Sequence, residues 1–317
     1  MANEVAQTLS TNAPDYLGTY FSKGNESTPI VNLIGGINNG GVKIVNAMRF
    51  PMAQHSSLEA ASQPAITEVA ASDLSSDDPT TIVREEAVNT TQIFQQLVNV
   101  SYVAEAESSL VSGVPLADSS LLLDMNEKDF QVMRKMDQIM IDLEYSILRG
   151  TYQAKTVSNA PKIGGLLTSI STNTENAAGV AITRALINSV LQDMWDANGF
   201  FNSNTFIICG STQKIALSDL FSHEPEDRDI AGANITRLVT DFGDLSVIMS
   251  ARMPATSILI VQMDKLKPVV TPYKGQQLFY EDLEKRGASS RGQVYGQLGI
   301  DFMHESFHGS ITNLATS

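Results

Sequence analysis

The chain has 317 residues, a net charge of −14 and a single cysteine, and only 18% of its residues are charged. An acidic balance without clustered Lys and Arg excludes tight sequence-independent binding to nucleic acid, and one cysteine excludes a disulfide framework. A chain of this length buries a sizeable core in one large or two modest domains, and the low charge content predicts a neutral, polar surface that neighbours can cover.

Residues 1 to about 45 are rich in Asn, Gly, Ser and Thr, with Pro14, Pro29 and the Gly35 to Gly41 segment, and show no sustained period. They predict an extended arm that needs a partner surface to become ordered. The double-glycine segment lacks the Gly-Lys-Ser/Thr ending of a phosphate loop and opens no amphipathic helix, so it predicts no nucleotide site. No basic segment with an apolar core begins the chain, and no run of about 18 apolar residues occurs, which predicts neither export nor membrane spanning but synthesis in a cytoplasm. Sequons such as Asn89 to Thr91, Asn99 to Ser101 and Asn234 to Thr236 then carry no glycosylation meaning.

From 46 to 115 the composition shifts to β-formers, broken by Pro51, Pro64, Pro79 and the acidic turn Asp73 to Asp78. Within Thr81 to Val103, Val98, Val100 and Tyr102 alternate with Asn99, Ser101 and Val103, which predicts long strands in a projecting hairpin. A hairpin alone forms no core, so it should lie on its own body or on another subunit.

Asn126 to Arg149 predicts one long amphipathic helix. Phe130, Met133, Met136, Met140, Leu143 and Ile147 recur at steps of three and four, while Lys128, Arg134, Lys135, Asp137, Gln138, Asp142 and Glu144 fall mostly on the other face. Asp124 or Asn126 caps its start, Glu127, Asp129 and Arg149 suit its dipole, and Gly150 offers a left-handed exit. At about 36 Å the helix calls for a flat partner, a sheet.

Pro161, Gly164, Gly165 and the polar run Ser169 to Asn176 end this unit. Thr183 to Asn198 predicts a second helix, capped by Thr183, stopped at Gly199 and burying Leu186, Val190, Met194 and Trp195. A strand Thr205 to Cys209, a helix from Ser211 through Leu220, a charged loop Ser222 to Asp229 and strands Leu245 to Met249 and Ser257 to Val261 follow, an α+β or α/β pattern. Cys209, inside an apolar run, reads as a small buried hydrophobe. Beyond Lys267 to Tyr280 and the alternating charges of Glu281 to Arg286, Val294, Gly296, Leu298, Ile300 and Phe302 keep a strand period within Gln293 to Leu314.

His304-Glu305-Ser306-Phe307-His308 matches the zinc-protease signature, whose chemistry needs two imidazoles one helical turn apart, a Glu as base and a third ligand. Read as the continuation of a strand, it spreads four residues over about 13 Å, too far for one zinc. No His, Asp, Glu or Cys follows to supply a third ligand. His55 and His223 stand in polar contexts, and the pairs Glu85-Glu86 and Asp77-Asp78 read as solvated or interface charges. Catalytic, metal and cofactor sites are therefore assigned to no residue.

Several segments in order resemble the major capsid proteins of tailed bacteriophages with the Hong Kong 97 fold. They are Asn89 to Phe94, Asp142 to Tyr145 with Leu148-x-Gly150, Gly164 to Leu167 with Ser171-x-Asn173, Met194-Trp195 before Gly199, and Ser211-x-Gln213-Lys214. Asp241-Phe242-Gly243 and the terminal His308-Gly309-x-Ile311-Thr312-Asn313-Leu314 complete the set. The likeness runs from about residue 80 to the end.

This resemblance implies an α+β capsid fold in which 126–149 is a spine helix over an antiparallel sheet. It implies an N-terminal arm (1–45), an extended β-hairpin loop (46–115), a peripheral domain (116–175 and 267–317) and an axial α/β domain (176–266). The implied function is self-assembly in many copies, as pentamers and hexamers of an icosahedral shell around double-stranded DNA bound without sequence preference. The implied location is the virion, with a portal protein and scaffolding or cement proteins as further partners and no membrane. Inter-subunit ion pairs are then expected from Glu281, Asp282, Glu284, Lys285 and Arg286 and from Arg84, Glu85 and Glu86. The alternatives are a non-viral compartment shell of the same fold and a zinc hydrolase at His304, Glu305 and His308.

Overall fold

The computed structural model describes residues 25–36, 41–58, 60–63, 68, 81–107, 114–115, 122–123, 126–198, 204–221 and 237–316. Asp124, Gly199, His223, the acidic turn 73–78, the loop 222–229 and the first 24 residues of the arm lie outside them.

In chain order the elements begin with helix α1 (Pro29–Leu33), strands β1 (Lys43–Ile44), β2 (Arg49–His55), β3 (Glu85–Thr90) and β4 (Gln92–Ser101), and helix α2 (Tyr102–Glu107). Next come β5 (Val114–Pro115), β6 (Leu122–Leu123), the long helix α3 (Glu127–Arg149), α4 (Leu166–Ser169), β7 (Thr174–Asn176) and α5 (Arg184–Asn198). The rest are β8 (Thr205–Cys209), α6 (Ser211–Phe221), β9 (Arg237–Thr240), β10 (Gly243–Met249), β11 (Ile258–Gln262), β12 (Lys267–Val270), β13 (Leu278–Asp282), β14 (Ser289–Asp301) and β15 (Gly309–Thr312).

The chain forms two compact units; the first holds residues 25–26 of the described arm with 94–140 and 278–295, the second 27–93, 141–277 and 296–317. In the first, β13 and the start of β14 form a hairpin, and Tyr102 N–H donates to Ala288 O at 3.3 Å. Phe94, Val98 and Val100 are buried while Gln95, Leu97 and Asn99 are exposed, the alternation the sequence predicts. Tyr102 departs from that period because it opens α2, whose Ala104 N–H is capped by Ser101 Oγ at 3.2 Å.

In the second unit a six-stranded sheet runs β7-β15-β11-β8-β10-β9, with β8 parallel to β10 and antiparallel to β11. α5 packs on β7 and β15. The core between them gathers Ile187, Val190, Leu191, Met194, Ile207, Cys209, Leu217, Ile258, Ile260 and Ile311. Cys209 is fully enclosed and burial pushes its thiol up to about 11, so it packs as a hydrophobe. Trp195 departs from expectation: it is 46% exposed, because the turn of α5 that faces the sheet presents Leu191 and Met194 instead. Gly309 must lack a side chain, since a Cβ there would come within 2.4 Å of Val190 Cγ1.

The long helix starts at Glu127, with Asn126 Oδ1 accepting the Asp129 N–H at 2.9 Å. Its apolar stripe is corrected by the structure. Leu143 and Ile147 are buried, but Phe130, Met133, Met136 and Met140 are half-buried, and Ile139, Glu144 and Leu148 join the enclosed face. Gly150 also differs: it has no left-handed backbone, and is required because a Cβ would meet Ile163 O and Ser146 O at 2.4 Å.

The arm is more structured than its composition suggests. Ile30 and Val31 of α1 are buried, and β1 pairs in parallel with Val269 and Val270 of β12, both within the second unit. Likewise the polar run 169–176 is no mere linker. β7 adds to the sheet beside β15, and Asn173 Nδ2 donates to Ser306 O and His308 O at 2.9 and 3.0 Å.

Candidate functional site

The residues of the zinc-protease signature sit in a turn, which corrects the strand expected for them. β14 ends at Asp301, Met303 takes a left-handed backbone (φ 57°), and Glu305–Phe307 form a 3₁₀ turn before β15. The three side chains point to separate partners. His304 Nδ1 accepts the Ser306 N–H at 3.2 Å and lies 2.7 Å from Ser306 Oγ. Glu305 is held by the N–H and Oγ of Ser171. His308 is fully buried, with Nε2 3.0 Å from Phe302 O, and burial pushes its imidazole down to about 4, so it is neutral and structural. Among the described residues no group of three His, Cys, Asp or Glu side chains could hold a metal. The match is one of letters, and its local geometry serves packing.

Two buried polar side chains that sequence reasoning passed over organise the second unit. Asn89 is 1% exposed. Its Nδ2 donates to Gly164 O and Ile300 O at 3.2 and 3.0 Å, and its Oδ1 accepts N–H bonds from Thr90 and Gly164 at 2.8 and 2.9 Å. One amide thus ties β3, the Gly164-Gly165 turn and β14 together with every polar atom satisfied. Glu144 is fully enclosed and accepts from Ile30 N at 3.1 Å, Val31 N at 3.5 Å and Ser250 Oγ at 2.6 Å. It caps α1 from another element, and burial raises its carboxyl above the ordinary range against those three donors. A signal was available: Glu144 lies four after Met140 and three and four before Ile147 and Leu148, inside the apolar stripe.

The charged candidates fall in two places. Glu281 to Arg286 occupy the end of β13 and the turn before β14, in the first unit. Asp282 meets Lys128 Nζ and Tyr280 Oη, each at 2.8 Å, and the lysine holds its carboxyl below the usual range. Gln293 Nε2 donates to Glu281 at 3.2 Å, Lys285 lies 5.8 Å over the Tyr102 ring, and Glu284 and Arg286 are exposed. Arg84, Glu85 and Glu86, at the start of β3 in the second unit, are exposed as well, and Glu85 lies 3.3 Å from His55 Nε2. Exposed pairs of this kind contribute little within a monomer, because solvent screens them. They therefore do little for the fold.

A family model described as the SU10 major capsid protein matches residues 3–315. The fold is similar to the capsid asymmetric unit of cyanophage A-1(L), 12% identical over 98% of each chain with a TM-score of 0.64. It is also similar to the capsid of a native GTA particle, 12% identical over 99% of this chain and 98% of that one, TM-score 0.61. The holo-SrpI encapsulin of Synechococcus elongatus is 11% identical over 97% and 94%, TM-score 0.55. At these identities the likeness shows the fold: α+β, of the Hong Kong 97 type. The likeness extends over the first 75 residues too, beyond the segments that carry it in the sequence. No curated protein matches the sequence.

Proposed function

Since the chain belongs to the SU10 major capsid protein family, and so is the main subunit of a phage-type shell, we propose that it closes into pentamers and hexamers of an icosahedral shell around double-stranded DNA. The observation that carries this is the family match over residues 3–315. We assign 1–45 to the arm, 46–115 to the extended loop, 116–175 with 267–317 to the peripheral domain and 176–266 to the axial domain. Rings form through heterologous contacts, and arms and loops laid over neighbours multiply each modest interface by avidity. Glu281, Asp282, Glu284, Lys285 and Arg286, with Arg84, Glu85 and Glu86, supply ion pairs between copies. Their exposure and small value to the monomer support this. A net charge of −14 suits a wall that DNA slides past without sequence-specific binding. A portal protein and scaffolding or cement proteins complete the particle, the chain being made in the host cytoplasm and housed in the virion.

A second reading, a non-viral compartment shell, draws on the likeness to the encapsulin. Shells purified from producing cells and treated with nuclease separate the two. Protected double-stranded DNA is the expected result, and shells devoid of nucleic acid would assign the chain to a compartment instead.

A further inference from the structure

The β2–β3 hairpin is held unequally along its length. At its inner end Arg49 pairs with Thr90 and Phe50 with Asn89; Phe50, Asn89 and Thr90 are buried, and Asn89 makes the four hydrogen bonds described above. At its outer end His55 pairs with Glu85, and Glu85 and Glu86 are exposed. Between this hairpin and the rest of the unit lies a cleft of about 200 Å³, lined by Met52, Ala87 and Val88 on one side and Tyr152, Phe302 and His304 among others. Beyond it the His55 ring meets that of His304, 4.1 Å between centroids and tilted by 50°.

The His304 ring is arranged for the neutral state. His304 Nδ1 accepts the Ser306 N–H, so its proton resides on Nε2, and protonating Nδ1 would set two donors against each other. His55 Nδ1 is shielded from water and has no hydrogen-bond partner. The turn that presents His304 is also strained. Met303 sits at φ 57°, a costly conformation for a side chain of this size, and is held there by Asp301 Oδ1 accepting its N–H at 2.9 Å. Asp301 is in turn fixed by Lys43 at 2.7 Å.

We propose that the His55–His304 contact is a proton-operated latch: in mild acid both rings become charged, and the outer end of the β2–β3 hairpin swings off the 302–308 turn about its anchor at Asn89. The charged and titratable groups facing the pair are Glu85 from β3 and Glu305 and His308 from the turn, with Tyr152 lining the cleft beside His304. Glu85 Oε2 lies 3.3 Å from His55 Nε2. With both rings charged, like charges stand about 4 Å apart, and Glu305 cannot relieve this fully because Ser171 holds its carboxylate. Burial and the nearby His55 already lower the affinity of His304 for a proton. Opening restores both rings to water. Use of this release as a control on lateral contacts rests on the shell reading; the release itself does not.

Hydrogen exchange of the full-length chain at pH 7.5 and pH 5.0, corrected for intrinsic rates, tests the latch. Protection over 49–55 and 85–90 is expected to fall about tenfold at pH 5.0, while that of β11 in the same unit is kept. In H55Q, and in H304Q as a second variant, the fall should be under about twofold. His308 is present in wild type and both variants, so any general acid effect cancels. Unchanged protection in wild type, or an equal fall in the variants, would overturn the proposal.

Discussion

Replacing Glu144 by alanine is expected to lower stability by about 3–5 kcal/mol, seen as a fall in Tm of roughly 10 °C. The side chain is fully enclosed, and its removal leaves the N–H groups of Ile30 and Val31 and the hydroxyl of Ser250 without an acceptor. Each stranded donor costs about 1–3 kcal/mol, and the vacated volume adds to that. E144Q separates the causes. Glutamine keeps the shape and an acceptor oxygen and sheds the cost of a buried charge, so its penalty should be about 1 kcal/mol or less. Because burial raises the folded-state value of Glu144, its contribution is fullest below the ordinary carboxylate range. It declines as pH rises through the folded value, so the gap between wild type and E144Q should narrow on going from pH 4 to pH 7. Urea unfolding at both pH values measures this. An alanine variant within about 1 kcal/mol of wild type would show that the enclosed carboxylate does not organise α1.

Removing residues 2–24 is expected to abolish shells while leaving a folded subunit of unchanged Tm. The cut is placed there because the chain beyond it is already fastened to its own units: Glu26 pairs with Arg134 in the first, and Glu144 caps α1 in the second. What is lost is the segment assigned to neighbours. Where each interface is modest, deleting one tether reduces the whole assembly by far more than the contact itself is worth. Sedimentation of the shortened chain should show subunits or small rings at concentrations where the full chain sediments as particles. Normal shells would remove the arm from the account.

Much of the fold was legible because periodicity records burial. Val294, Gly296, Leu298 and Ile300 alternate in sequence and are buried in β14, and the strands around Ile207 and Ile260 are apolar runs enclosed on both faces. What escaped were polar groups with buried partners far away in the chain. Asn89 and Gly164 are 75 residues apart, and Glu144 and Ile30 are 114 apart. No local pattern marks such a pair, and the charge of Glu144 points to the wet face although its spacing sets it within the apolar stripe. The turn at 302–308 escaped for a related reason. Its backbone reverses at Met303, a residue with no turn preference, held by Asp301 two positions earlier. The charged candidates were visible as charges, but exposure alone does not say what meets them.

Electron microscopy of negatively stained, purified full-length protein tests the central claim most directly. Closed shells built from rings of five and six subunits are the predicted result. A chain that remains monomeric under all assembly conditions and cleaves peptides only when a divalent ion is supplied would contradict it.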